Sequence, residues 1–279
     1  MSAAAIAPAG NASELDEALF AGLLKSIRRN NFLPIPPQER NFVGDGDFLA
    51  IGCEFLRHFV ELGGLKPQHR VLEIGCGIGR MALPLTQFLE APAGRYTGFD
   101  VVAAGIEWCQ QNIAAAYANF EFLHLDFQNQ LYNPDGKLSD GEQALPFESN
   151  SVDFLFMTSV VTHLDPGYTA FYLREAARVL RADGRLFVTA FILDEANRAL
   201  VTAKKARPAF HLEGEGPDYI ADRAHPMAAV GFDADWFLGT AREHGLRLQR
   251  PIAFGHWSGR VAENYQDICV FQRSSVRES

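Results

Sequence analysis

Apolar residues recur along this chain in two rhythms. Between Ser13 and Arg29, the residues Leu15, Ala18, Leu19, Gly22, Leu23 and Ile27 fall at helical spacing, with Ser13 placed to cap the helix. Leu33-Pro34-Ile35-Pro36-Pro37 then reads as an extended linker, because proline fixes φ and lacks a backbone donor. Asp47 to Leu62 returns to the helical rhythm and is closed by Gly63-Gly64.

Beyond residue 69 short apolar runs alternate with amphipathic stretches. Strands are predicted at Arg70 to Ile74, Arg95 to Phe99, Phe120 to Leu125, Val152 to Thr158 and Arg185 to Phe191. Helices are predicted from Arg80 to Leu89, Ala103 to Tyr117 and Tyr168 to Leu180. Repeated strand–helix alternation argues for a parallel sheet covered on both faces. The rhythm breaks from Asp194 to Met227, which reads as a long polar loop carrying Pro208, Gly214, Gly216 and Pro217. A helix from Asp233 to Gly245 and two final strands, Leu246 to Phe254 and Gln266 to Arg273, complete the chain, the strands as an antiparallel pair.

Composition narrows the function. The 279 residues are 48% hydrophobic, enough to bury a full core. With 25 basic against 34 acidic residues the net charge is -9, which repels phosphate backbones and anionic lipid, so neither nucleic acid nor membrane is expected as a partner. No window approaches the roughly 20 apolar residues of a membrane span. The Ala-rich start, Met1 to Gly10, lacks a basic region and reads as a tail rather than a signal peptide. Cys53, Cys76, Cys109 and Cys269 are scattered without metal-ligand spacing, consistent with a reduced, cytoplasmic protein and no metal site.

The candidate chemistry centres on Val71-Leu72-Glu73-Ile74-Gly75-Cys76-Gly77-Ile78-Gly79-Arg80. Glycines after a strand let the backbone turn sharply and approach a ligand, and the helix start that follows favours an anion. A dinucleotide fingerprint is spaced G-x-G-x-x-G, whereas Gly75, Gly77 and Gly79 are spaced G-x-G-x-G with Glu73 two positions ahead. Asp100, in Gly98-Phe99-Asp100, lies about twenty residues on, where a ribose-binding acid belongs. Leu125-Asp126-Phe127 ends the third strand.

This pattern resembles motif I of the class I S-adenosylmethionine-dependent methyltransferases, and the resemblance runs from Arg70 to Phe191. It implies that Glu73, Gly75, Cys76, Gly77 and Gly79 line the methionine end of S-adenosylmethionine. It further implies that Asp100 holds the ribose, that Val101 lies against the adenine, and that Asp126, Phe127 and Thr158 complete the pocket. The family's usual Pro-Gly-Gly turn is here Ala182-Asp183-Gly184, with Gly184 left to supply any positive φ. The architecture implied is α/β: a Rossmann-like, seven-stranded, mostly parallel sheet with helices on both faces and the last strand antiparallel. To it are added an N-terminal helical extension and an insertion after strand five. Residues 1–64 are expected to cover the cofactor, with Phe42 to Phe48 closing over its methionine end; residues 65–279 form the methyltransferase domain, and 194–232 an acceptor-side insertion.

Methyl transfer from a sulfonium requires in-line positioning and, for a hydroxyl acceptor, a base. His163, after strand four, is read either as that base or as a residue shaping the cofactor site; Asp165 is the alternative base or the group that orients the imidazole. His225, His256 and Trp257 are candidates for the acceptor wall. The expected activity is methylation of a small molecule such as a sugar or secondary metabolite, first at oxygen, with nitrogen and carbon as alternatives and S-adenosylhomocysteine as product. A cofactor-binding module without catalysis and a NAD-dependent oxidoreductase are the competing readings. Oligomeric state is open, a homodimer included.

Overall fold

A computed structural model describes residues 17–129, 131–137 and 144–274. The expected tail and the Ser13 cap lie outside these residues. Helix α1 (Glu17–Arg28) and helix α2 (Phe48–Glu61) precede the sheet. Asp47 starts α2 by accepting from the Ala50 N–H at 2.7 Å, satisfying a donor that the first helical turn leaves open. Then follow β1 (Arg70–Ile74), α3 (Ala82–Leu85), β2 (Arg95–Asp100), α4 (Ala103–Cys109), β3 (Phe120–His124), β4 (Val152–Met157), α5 (Pro166–Val179) and β5 (Leu180–Ala190). The chain continues through β6 (Ile192–Leu193), α6 (Glu195–Thr202), β7 (Asp218–Ile220), β8 (Val230–Asp233), α7 (Ala234–Glu243), β9 (Leu246–Leu248) and β10 (Asp267–Arg273).

Seven strands form one sheet in the order β3-β2-β1-β4-β5-β10-β9. β1 to β5 run parallel; β10 lies antiparallel between β5 and β9. The order reverses between β1 and β4, so the carboxyl ends of these strands part there and leave a crevice. Side-chain alternation divides the core into two layers. In β4, Phe154 and Phe156 join the layer beneath α2, while Leu155 and Met157 join the layer beneath α5 and α7. Phe59 of α2 fastens the first layer, with its ring centroid 4.3 Å from Phe156 and 4.9 Å from Phe187. No helix among the described residues is long and apolar enough to cross a membrane.

Several elements differ from the sequence expectation. The helix expected over Arg80 to Leu89 keeps regular α geometry only over Ala82–Leu85, where Pro84 removes a backbone donor. The helix from Ala103 passes into a π-turn at Gln110–Ala114, closed by the Ala115 N–H on the Gln110 carbonyl. The expected loop from Asp194 is instead a small unit with its own three-stranded sheet, ordered β6-β8-β7. Asp194 caps α6 by accepting from the Asn197 N–H at 2.7 Å, and Phe191, Phe210 and Trp257 pack edge to face as its core. The expected strand from Leu246 to Phe254 ends at Leu248. In the turn before β5's main run the positive φ falls on Asp183 (63°), not on Gly184; Asp tolerates this region, and its carboxylate accepts from Gln272 at 2.9 Å.

Candidate active site

The crevice between β1 and β4 opens into a cavity of about 700 Å³, within the range of small-ligand sites. Its floor is the turn after β1. Gly75 and Gly77 have positive φ (74° and 54°), and both line the cavity. Asp100, at the end of β2, reaches back to this turn. Its Oδ2 accepts from the Gly77 N–H at 2.7 Å and its Oδ1 from the Val102 N–H at 2.9 Å. Burial raises the Asp100 pKa, while the Val102, Gly77 and Val101 N–H groups pull it back down. A carboxylate offers about four lone-pair sites, so these backbone donors leave room for a ligand. Glu73 also lines the cavity, is buried, and accepts from the Tyr96 hydroxyl. Desolvation pushes its carboxyl up to about 8, against the pull of Tyr96 and with the help of the nearby Asp100 charge.

The wall opposite comes from the segment before α2. Phe42, Val43, Gly44 and Asp45 line the cavity. Arg80 holds this segment by donating to the Gly44 carbonyl, with its guanidinium 5.4 Å from the Phe48 ring centroid. Ile51, Glu54 and Phe55 of α2 extend the wall towards Asn264, Tyr265 and Gln266, just before β10. On the β4 side lie Thr158, Ser159 and His163. Ser159 has φ 57°, and its N–H donates to Thr189 Oγ1 at 2.8 Å. His163 Nδ1 lies 2.9 Å from the Met227 carbonyl, which fixes the proton on Nδ1 and leaves Nε2 as an acceptor. Burial lowers its pKa against the opposing pull of the Met227 and Ala228 backbone, so the ring is neutral near pH 7. Tyr132 meets His163 edge to face at 5.8 Å.

A methyltransferase domain family matches residues 72–188, the span that holds the glycine turn, Asp100 and His163. These residues form a class I, S-adenosylmethionine-dependent methyltransferase domain. Its cofactor is S-adenosylmethionine, and the site fits it: Gly75 and Gly77 present bare backbone to the cavity, and a Cβ there would run into Val160 Cγ2 at 2.5 Å or Val43 Cγ1 at 2.4 Å, side chains that themselves line it. The fold is shared with an S-adenosylmethionine-dependent methyltransferase from Aquifex aeolicus (17% identity, 86% of this chain and 100% of that one, TM-score 0.51). It is shared likewise with magnesium protoporphyrin IX methyltransferase from Synechocystis, solved with bound S-adenosylhomocysteine (16% identity, 83% and 90%, TM-score 0.51). Among curated proteins the chain is 28% identical over 153 residues to the tRNA N(3)-methylcytidine methyltransferase Mettl2 of Drosophila melanogaster, covering 54% of this chain and 43% of that protein. It is 25% identical over 125 residues to the tRNA N(3)-cytidine methyltransferase METTL2 of Bos taurus, covering 44% and 30%. The chain therefore spans less than half the length of these relatives.

These relatives overturn two expectations for the methyltransferase, a small-molecule acceptor and the absence of a nucleic-acid partner. The physical error lay in treating a net charge of -9 as if it were spread evenly. A Debye length of about 8 Å at physiological salt lets a local basic patch act independently of the rest of the surface.

The methyltransferase cavity brings together Glu73, Gly75, Cys76, Gly77, Asp100, Val101, Thr158 and His163. Other expected site residues stand elsewhere. Gly79 faces α4, where a Cβ would meet Ile113 Cδ1 at 2.8 Å and Cys109 Sγ at 3.0 Å. Asp126 is turned away by Asn133, which donates to it at 3.0 Å and holds its pKa low. Phe127 is buried in the layer beneath α5. Asp165 caps α5, accepting from the Tyr168 N–H at 2.9 Å, so its carboxylate is engaged with a helix rather than with His163. His225 is exposed and paired with Asp222 at 3.1 Å. His256 is exposed against Tyr265, and Trp257 is fully buried with its Nε1 donating to Asp267 at 2.9 Å. None of these residues lines the cavity. Sequence reasoning missed Glu54, Arg80, Asn129, Ser159, Asn264, Tyr265 and Gln266. Only Ser159 and Arg80 carried a signal, directly after strand four and directly after the glycine turn.

Proposed function

We propose that this methyltransferase transfers the methyl group of S-adenosylmethionine to a base nitrogen of an RNA, at the N3 position of a cytidine. The observation that carries the donor half is the Asp100 carboxylate, held between the Gly77 and Val102 N–H groups at the switch point and facing the cavity. In this reading Asp100 accepts from the ribose hydroxyls, Glu73 faces the methionine ammonium, and Val101 with Tyr132 flanks the adenine. The RNA half is supported by the three relatives named as tRNA cytidine methyltransferases.

The bound cofactor supplies an electrophilic methyl group on a sulfonium. A cytosine N3 carries its lone pair in the ring plane, so attack on that carbon needs no proton removed first. The protein's task is then alignment. His163 Nε2, unprotonated, accepts from the acceptor's amino group and acts as a positioning residue. Glu54 and Gln266 face the opposite end of the cavity, where a carboxylate accepts from an amino group and an amide donates to a carbonyl. Phe42 to Asp45 serve as the cofactor cover within residues 1–64. The 194–232 segment acts on the acceptor side through the Met227 carbonyl that orients His163. A cytoplasmic location agrees with four free, buried cysteines.

The test is incubation with methyl-labelled S-adenosylmethionine and structured or unstructured RNA transcripts, followed by digestion to nucleosides. Label recovered as N3-methylcytidine is expected. Label in no nucleoside, with cofactor still bound, would overturn the acceptor assignment.

A further inference from the structure

A second cavity, of about 520 Å³, lies away from the first, along α1 and the turn that follows it. Gly22, Lys25 and Ser26 border it at spacings of three and four, so they share one face of α1, and Arg29 borders it from the turn just past the helix end. Gly22 and Ser26 form a low floor, and a Cβ added at Gly22 would meet nothing within 4 Å. Lys25 and Arg29 form the walls. Neither is paired with a carboxylate of the described residues. No Asp or Glu occurs between Glu17 and Glu39, in a chain whose acids outnumber its bases. At the end of the groove Phe32 is 98% exposed, on a turn held by Asn30 Oδ1 accepting from the Phe32 N–H at 3.0 Å.

Cations at the end of a helix complement its dipole, which accounts for Lys25 in the last turn of α1 and Arg29 just beyond it as charges. It does not account for an open floor between them or for a phenyl ring standing wholly in water. Resting on the RNA reading above, we propose that this groove is a second binding site, for the backbone of single-stranded RNA, with one unpaired base stacked on Phe32. Two cations along a groove and an aromatic face at its end are the elements that hold single strands without reading sequence. The occupant is an anionic polymer with π-faced units, which free phosphate is not.

The test is anisotropy of a fluorescent oligouridylate titrated with the full chain over a salt series, with S-adenosylhomocysteine affinity measured alongside. In Lys25→Ala/Arg29→Ala the slope of log affinity against log salt should fall by about 1.4, roughly 0.7 for each phosphate of the single strand that the variant no longer neutralises. Phe32→Ala should weaken binding by about tenfold with the slope unchanged. Neither variant should alter cofactor affinity, since α1 does not line the first cavity. Wild-type affinity and slope in both variants would overturn the second site and leave the RNA reading standing. Displacement of the oligonucleotide by an equal concentration of inorganic phosphate would reduce the groove to a simple anion site and overturn the proposal. No binding of the oligonucleotide by the unaltered protein, with cofactor bound normally, would overturn both.

Discussion

Val43 rests on Gly77: a methyl group built on that glycine would lie 2.4 Å from Val43 Cγ1. The segment before α2 and the turn after β1 are therefore one surface, and the absence of a side chain at residue 77 lets them meet. Gly79, two residues on, is bare for a different reason, since its missing Cβ admits Ile113 and Cys109 of the neighbouring helix.

Alanine at these two positions should separate the roles. Both carry positive φ, 54° at Gly77 and 81° at Gly79, so each substitution costs backbone strain of about 1–2 kcal/mol. Gly77→Ala also displaces Val43 and intrudes on the cavity floor, and should weaken S-adenosylhomocysteine binding by about tenfold or more. Gly79→Ala overpacks α4 and should lower the melting temperature with less than about a threefold change in affinity. Calorimetric titration and thermal melting of both variants check this; equal loss of affinity in both would remove the distinction.

Glu73, placed against the methionine ammonium as proposed, should give cofactor binding a pH dependence. Its carboxyl stands at about 8, above the ordinary 4.5, so the folded, unliganded protein holds a proton there at neutral pH. A cationic ammonium beside it favours the anion, so binding releases that proton. The logarithm of affinity should rise with pH, with slope approaching one, from about pH 6 to about pH 8, and Glu73→Gln should abolish the rise. Stability of the unliganded protein runs the other way. An acid raised on folding contributes fully below 4.5, and that contribution is lost as pH climbs to about 8. Calorimetry in buffers of different ionisation heat measures the released proton; a pH-independent affinity in the unaltered protein would contradict the placement.

Asp267 ties the small unit after β5 to the main sheet. Its Oδ2 accepts from the Ile192 N–H at 2.6 Å, and its Oδ1 from the Gly255 N–H at 2.7 Å and Trp257 Nε1 at 2.9 Å. An asparagine has one carbonyl oxygen, so at least one of these N–H groups would face an NH2. Asp267→Asn should cost about 1–3 kcal/mol, a melting shift of roughly 2–10 °C for a chain of this size. Differential scanning calorimetry reads this directly, and an unchanged transition would mean that the buried donors have other partners.

The strands of the first half were legible because each imposes its own alternation: Phe154 and Phe156 face one layer, Leu155 and Met157 the other. The glycine turn and Asp100 were legible for a local reason, since close backbone approach leaves few alternatives to glycine. Asp126 was not, because its orientation depends on Asn133, whose amide captures it. Trp257 read as a candidate for the acceptor wall because its partners, Phe191 and Phe210, belong to a unit whose polar sequence hid a small core. Gln266 and Asn264 reach the cavity only because β10 inserts between β5 and β9, a pairing that no local pattern announces. The acceptor was misread from total charge, a quantity that carries no position.

The most direct measurement is calorimetric titration of S-adenosylhomocysteine into the unaltered protein and into Asp100→Asn, with NAD as a control. In the proposed reading the aspartate, already anchored by Gly77 and Val102, supplies charge-assisted bonds to the ribose. One molecule should bind per chain, the variant should bind about ten- to a hundredfold more weakly, on the order of 1.5–3 kcal/mol, and NAD should give no competing binding. Equal affinity in the variant, or tighter binding of NAD, would contradict the assignment of this cavity to the methyl donor.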